Sequence, residues 1–390
     1  MGRFAAVAVV GAGAAGLSAA AELRRRGVPA LVLERAAIGS SWRARYDSLI
    51  LNTPRVTSTL GGYRMPRRYG RWPSRDAMVE YLEEYARRGE LDVRCGVSVE
   101  RLDRGDGGWS VTTSEGVLRA PQAVVATGHD IHPVLPPWPG RDEFPGTLVH
   151  SAGYRNADPF RGLDVLVVSA SNSGSEIACE LARDGAGRVW TARRSSPPIF
   201  PREWPRGFPV NPGACLLDLF PDRVADGVAR VAQRVMYGDL SRCGLPRPDV
   251  GAQTRAKHLR QGALVDAGFV KAVKAGRIQV VAALERFEGP EAILADGMRV
   301  RPDAVIAATG YARDLESLVG HLGVLDPNGH PTVTGGRAHP AAPGLYFNGF
   351  HGTISGQLRY MRKHGRAIAR AIARERRAAG SGRNVARGCE

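Results

Sequence analysis

Two stretches of the chain combine small residues, apolar flanks and a charged partner in the way a phosphate-bearing ligand requires. In the first, an apolar run over residues 5–10 leads into Gly11-Ala12-Gly13-Ala14-Ala15-Gly16, and a helical pattern follows over 17–26, closed by Gly27. A second apolar run over 30–33 ends in Glu34 and Arg35. In a strand, turn and helix of this kind, Gly11 makes the tight turn. Gly13 lets backbone N–H groups approach a pyrophosphate at the positive end of the helix, and Gly16 permits close packing of helix on strand. Glu34 suits the two hydroxyls of a ribose and repels a 2′-phosphate, so the expected ligand carries an unphosphorylated adenosine, as FAD and NAD do.

The second stretch repeats the design. Residues 165–168 form an apolar run, Ser169-Ala170-Ser171-Asn172-Ser173-Gly174 a turn, and 176–183 a helical pattern, while the next run, 188–192, ends in Arg193 and Arg194. These elements predict an α/β fold with two Rossmann-like dinucleotide-binding units in one chain. The 390 residues provide for two such cores plus insertions.

Composition narrows the classes further. The formal charge is +16, with Arg and Lys dense over 64–71 and 359–387 but without interleaved aromatic pairs. That pattern reads as solvated basic surface, and no nucleic-acid partner is expected. Arg3 and the apolar run after it imitate a leader or a membrane span, but three glycines spaced for a turn sit inside the run. Ala6 breaks the myristoylation pattern. The expectation is a cytoplasmic protein without a membrane partner. Cys95, Cys179, Cys215, Cys243 and Cys389 are far apart and include no CxxC, which predicts reduced thiols and weighs against a disulfide reductase. No metal-ligand spacing is present, so no metal site is expected.

Between the two units, 109–113 and 117–120 predict a hairpin, and 123–126 a strand ending at Thr127-Gly128. A near-copy closes the second unit, with a hairpin over 292–300 turning at Asp296-Gly297 and a strand over 304–308 before Thr309-Gly310-Tyr311. Residues 200–257 are rich in Pro, Gly and Arg, with one helical piece over 223–236, and read as an insertion that caps a substrate pocket. The pattern over 358–373 predicts a packed terminal helix, and a disordered tail is expected over 379–390.

The segment Phe144-Pro145-Gly146-Thr147-Leu148-Val149-His150-Ser151-Ala152-Gly153-Tyr154 matches FxGxxxHxxxY, and the chain resembles the class B flavin-dependent monooxygenases that carry this motif. Gly39-Ser40-Ser41-Trp42 and Leu49-Ile50-Leu51-Asn52-Thr53-Pro54 are similar to that family's GGxW and LxLxTP, where the chain passes the flavin ring. Further matches are Val124–Gly128 to VVATG, Arg193–Ser196 to VRSS, Pro201-Arg202-Glu203 to PRE, Gly244–Pro248 to GLxRP and Ala307–Tyr311 to LATGY. In order along the chain, they resemble the YUCCA-like indole-3-pyruvate monooxygenase branch. The resemblance implies an FAD-binding domain over 1–155, an NADPH-binding domain over 156–303 inserted into it, and the remainder of the FAD domain over 304–378.

It implies FAD contacts from Gly11, Gly13, Ala15, Gly16, Glu34, Arg35, Ser41, Trp42, Asn52, Thr53, Thr127, Gly128, Gln357 and Leu358. For NADPH it implies Ser169, Ser171, Asn172, Ser173, Gly174, Arg194 and Ser195, with Arg194 on the 2′-phosphate, where an acid would repel it. His150 reads as linker structure. The family's second turn is GxGxSG, whereas two of its glycines are serines here; either the hydroxyls donate to phosphate or NADPH binds weakly. The implied activity is insertion of one oxygen atom from O2 into a small organic substrate through a flavin C4a-(hydro)peroxide. Asn52 is the catalytic candidate, an amide beside the flavin edge where the plant branch usually has His. The last helix, beginning near Ser355-Gly356-Gln357-Leu358, can stabilise the negative flavin edge with its dipole. Arg202, Arg206 and Arg247 can pair with a substrate carboxylate. An FAD-dependent oxidase with an impaired NADPH site and a non-catalytic flavin-binding protein remain alternatives, and a homodimer is left open.

Overall fold

The computed structural model describes residues 3–169 and 171–386. Short runs of Val, Ile, Leu and Ala dominate its two parallel sheets, whose central strands are buried along their whole length, as expected for sheets covered on both faces. The first sheet has the order Leu345–Phe347, Gln122–Val125, Val7–Val10, Leu31–Glu34, Asp92–Cys95. The second has the order Thr147–His150, Ala304–Ala307, Val165–Val168, Val189–Ala192, Gln279–Val281. Both glycine-type turns therefore leave the carboxyl end of a central strand. That edge is where open α/β sheets bind ligands.

Pairing in the second sheet brings together strands from either side of the expected boundaries at 155 and 303. Thr147–His150 and Ala304–Ala307 pair with each other in register, and Ala304–Ala307 also pairs with Val165–Val168. The family motif thus lies in the second sheet rather than before it. Its Phe144 packs on Phe287 with ring centroids 4.9 Å apart. A Cβ on Gly146 would stand 2.4 Å from Asp303 O, so only glycine fits between this ring and the backbone that follows.

Helix Ala14–Arg24 is Ala-rich and buried over nearly its whole length, because it lies between the first sheet and the terminal helix Gln357–Ala386. Asn348 fastens the two helices by donating from Nδ2 to Ala15 O at 2.8 Å and Met361 O at 3.1 Å. The terminal helix continues to Ala386, which corrects the expected tail at 379; residues 387–390 lie outside the described residues. The expected hairpins are present as Gly108–Thr113 with Gly116–Ala120 and Glu291–Leu294 with Arg299–Val300.

The insertion has its own small sheet, Ile199–Pro201 beside Leu264–Asp266, and helices Asn211–Leu217, Asp222–Tyr237 and Ala252–His258. It docks on the start of the terminal helix. Asn211 Nδ2 donates to Ser355 O at 2.9 Å, and Arg359 pairs with the buried Asp218 at 3.2 Å. Arg260 donates to Phe350 O at 2.7 Å.

The first turn offers a direct check of these constraints. A Cβ on Gly16 would lie 1.8 Å from Gly11 O, whereas one on Gly13 would meet nothing within 4 Å. Gly16→Ala should lower stability by about 1–3 kcal/mol or prevent folding, the scale of overpacking. Gly13→Ala should keep the melting temperature of the ligand-free protein and release FAD more readily. Equal thermal losses for the two variants would contradict this assignment.

Candidate active site

The first turn fits a dinucleotide. Gly11 has φ +104°, and a Cβ there would stand 2.6 Å from Ala126 O, so the turn is packed tightly against the end of the neighbouring strand. The space above Gly13 is open, and helix Ala14–Arg24 has neither a side-chain cap nor an acidic residue in its first turn. Its first N–H groups are thus left for an anion. Glu34 is buried and accepts from Ala12 N at 2.8 Å and Ala36 N at 3.1 Å, which fixes the carboxylate at the edge of the turn. Each oxygen retains a lone pair for a ribose hydroxyl. Arg35 and Ser41 are exposed, while Trp42 is partly buried against the first core.

Farther along, the segment around Asn52 runs against the start of the terminal helix. A Cβ on Gly356 would meet Thr53 Cγ2 at 2.7 Å, so glycine is needed for this approach. Thr53 Oγ1 lies 2.7 Å from Ser58 Oγ, and Leu358 is buried. Gln357 donates to His351 O at 2.7 Å, while its Oε1 is buried without a partner. Thr127 Oγ1 and Asn52 Oδ1 are also buried and unpaired, and Gly128 has φ +87°. Buried orphan groups of this sort suit a polar ligand that completes them.

The second turn differs in detail. Ser169 is buried, and its Oγ accepts from Ser171 N at 3.0 Å and lies 3.0 Å from Ser171 Oγ. The hydroxyl closes the turn from inside instead of pointing at a phosphate, so of the two serines only the exposed Ser171 can present its side chain outward. Gly174 is required by the same serine, because a Cβ there would stand 2.1 Å from Ser169 Cβ. Ser173 is partly exposed in the first turn of helix Asn172–Asp184. Asn172 does not reach toward a phosphate: its Nδ2 donates to Ala263 O at 3.2 Å and its Oδ1 accepts from Val265 N at 2.6 Å, bracing the insertion.

The paired arginines divide their roles. Arg194 and Ser195 are exposed at the end of strand Val189–Ala192, and Arg194 has no ion pair among the described residues. Arg193 turns inward, lies over the Phe269 ring at 4.5 Å and donates to Ser175 Oγ at 2.8 Å. Ser175 Oγ in turn donates to Ser171 O at 3.1 Å, which links this buried cation to the serine turn. Burial lowers the guanidinium to about 10, and its Nε and Nη1 have no partners.

His150 is structural in geometry. Ala152 N donates to Nδ1 at 3.0 Å, so Nε2 carries the proton and donates to Gly310 O at 3.0 Å. Burial lowers its pKa, which keeps the ring neutral. Tyr154 is buried and stacks on Phe160.

Two residues absent from the sequence expectations join the halves. Glu176 Oε1 accepts from Asn52 Nδ2 at 2.9 Å, and Glu176 Oε2 accepts from the Tyr46 hydroxyl. One turn later, Glu180 Oε2 accepts from Ser48 Oγ at 2.6 Å. Desolvation raises the pKa of both carboxyls. Their i,i+4 spacing is visible in the sequence and places both on one helix face; what that face meets is not.

Two strand–turn–helix units joined by such a seam are the framework expected of a flavoprotein served by a nicotinamide coenzyme. Comparison with known proteins agrees. Residues 8–198 match the family described as pyridine nucleotide-disulphide oxidoreductase. The chain is 33% identical over 353 residues to the probable indole-3-pyruvate monooxygenase YUCCA9 of Arabidopsis thaliana, covering 88% of this chain and 83% of the relative. It is 35% identical over 322 residues to the indole-3-pyruvate monooxygenase YUCCA1 of Oryza sativa subsp. japonica, covering 81% and 79%. A solved flavin-containing monooxygenase from Stenotrophomonas maltophilia is 25% identical with TM-score 0.71, covering 96% of this chain and 99% of that one. The chain belongs to the class B flavin-dependent monooxygenases, FAD- and NADPH-dependent enzymes that insert an oxygen atom, and its curated relatives include the YUCCA branch.

Two substitutions separate the roles around the second turn. Ser169→Gly should lower stability by about 0.5–1.5 kcal/mol, the value of one internal hydrogen bond, with little change in NADPH affinity. Arg194→Ala should weaken NADPH by about 1.5–3 kcal/mol and leave NADH nearly unchanged, as expected for a charge-assisted bond to the 2′-phosphate. Isothermal titration with both coenzymes checks this. Equal losses for NADPH and NADH would show that Arg194 supports the fold only.

Proposed function

We propose that the enzyme oxygenates a small 2-oxo acid, using FAD at the first turn and NADPH at the second. When bound, the flavin would take hydride from the coenzyme and activate dissolved O2 for transfer of one oxygen atom. The protein holds both cofactors at facing sheet edges, keeps water from the seam and orients the substrate. The observation that carries this reading is the direct hydrogen-bonded contact between the flavin-side segment, Tyr46 to Asn52, and the coenzyme-side helix at Glu176 and Glu180. It fixes the two cofactor sites relative to each other. The proposed FAD contacts are those named above, with Asn52 as the side chain beside the ring. For NADPH they are Ser171, Ser173, Arg194, Ser195 and the helix N-terminus, with Ser169 and Gly174 shaping the turn.

The substrate class rests on two supports. The relatives named above act on indole-3-pyruvate, a 2-oxo acid. In this chain, Arg202 projects from the insertion strand Ile199–Pro201 with its guanidinium over the Trp72 ring at 5.1 Å, and its charge reaches Glu176 in the seam. It has no ion pair among the described residues, so a substrate carboxylate can take that place. Arg206 and Arg247 are exposed on the same insertion. Among the described residues no helix is long and apolar enough to cross a membrane. A cytoplasmic location is part of the proposal, and a homodimer is left open.

The test is oxygenation in 18O2 with a panel of 2-oxo acids, simple amines and sulfides. A 2-oxo acid should lose CO2 and yield a carboxylate one carbon shorter that contains one labelled oxygen, with the other oxygen in water and one NADPH oxidised. Labelled N- or S-oxides with untouched 2-oxo acids would overturn the substrate class. Substrate-driven flavin reduction without NADPH would favour the oxidase reading that the serine turn keeps open.

A further inference from the structure

Asn52 contributes an amide, and an amide has two different ends. Its Nδ2 faces Glu176 Oε1 at 2.9 Å, while its Oδ1 is buried with no partner. Glu176 is partly buried in the seam, and its second oxygen accepts from the Tyr46 hydroxyl. Tyr46 is itself buried, edge-on to Tyr154 with ring centroids 6.4 Å apart, so the phenol cannot swing away. Glu176 is thereby held between two groups of the flavin-side segment while belonging to the coenzyme-side helix.

We propose that Glu176 is a positioning residue whose proton decides which end of the Asn52 amide faces the flavin. This rests on the placement of Asn52 beside the flavin. With the carboxylate ionised, Oε1 holds Nδ2 and Asn52 presents Oδ1, an acceptor. With the carboxyl neutral, its O–H donates to Oδ1 after a half-turn of the amide, and Asn52 presents Nδ2, a donor. Tyr46 donates to the other oxygen in both states. One proton on Glu176 therefore exchanges an acceptor for a donor at the flavin without moving the backbone.

The surroundings act on that proton from several sides. Burial pushes the carboxyl above the usual glutamate range, opposed by the hydrogen bonds from Tyr46 and Asn52 and by the charge of Arg202. On its own helix Cys179 and Glu180 are the nearest titratable neighbours, and burial raises the pKa of both. Tyr46 is likewise raised by burial and by Glu176, and stays protonated.

The experiment is a pH titration of the FAD-loaded protein, read by visible absorbance and circular dichroism of the bound flavin, with no coenzyme present. The wild type should show a one-proton change centred above the usual carboxylate range. Glu176→Gln, which keeps the shape and loses the proton, should abolish the change while retaining FAD and the melting temperature. Asn52→Ala should abolish it too, and serves alone if Glu176→Gln fails to fold. Anaerobic reduction of Glu176→Gln by NADPH should lose the pH dependence of the wild type and slow by about tenfold at its optimum, the scale of one hydrogen bond to a charged group. A wild-type spectrum flat with pH, or a change that survives in either variant, would overturn the proposal. Failure of NADPH to reduce the wild type would instead refute the coenzyme reading and leave the spectral test standing.

Discussion

Hydride can pass between two bound cofactors only when the edges that hold them face each other at a fixed separation. Each parallel sheet presents its ligand site at the carboxyl end of its central strands, so the geometry of the whole molecule reduces to how those two ends are joined. Here the join is made by side chains. Tyr46, Ser48 and Asn52, which follow the first unit, bond to Glu176 and Glu180, which follow the second turn. Other features serve that contact. The insertion anchors to the terminal helix through Asn211 and Asp218, and Asn172 braces the insertion strand, so three elements converge on one seam.

The second turn shows how a departure from the usual glycines can be accommodated. Serine at position 169 fills the interior of the turn, Gly174 yields the space it needs, and the Ser169 hydroxyl replaces a contact that a tight glycine turn would leave to backbone alone. Arg193 places a buried cation beneath the same turn through Ser175 and Ser171. A positive charge under an anion site adds attraction that weakens little with salt, since it is shielded from solvent. The result is a turn closed partly by side chains.

Much of this was legible in the sequence, for reasons that differ by residue. Gly11, Gly13, Gly16 and Glu34 declare themselves because their spacing follows from local geometry, and the strands beside them are short apolar runs between turns. The position of Arg194 just past the end of a strand was readable for the same reason. The pairing of Thr147–His150 with the second sheet was not, since a strand's partner is chosen by distant residues. The terminal helix also runs past its expected end: a tail was expected from 379 because chain termini are commonly poorly ordered, and the helix continues to Ala386. The inward turn of Arg193 depends on Ser175 and on the more distant Phe269, and the partners of Glu176 lie more than a hundred residues away along the chain, in the case of Asn52 a separation of 124. No local pattern carries that information.

Both cofactors must work across one seam, and an anaerobic titration of the purified protein measures this. The protein should be yellow, and one equivalent of NADPH per FAD should bleach the flavin band, with NADH acting only at much higher concentration. Colourless protein that takes up no added FAD would contradict the first site. A yellow protein bleached by dithionite but not by NADPH would contradict the second.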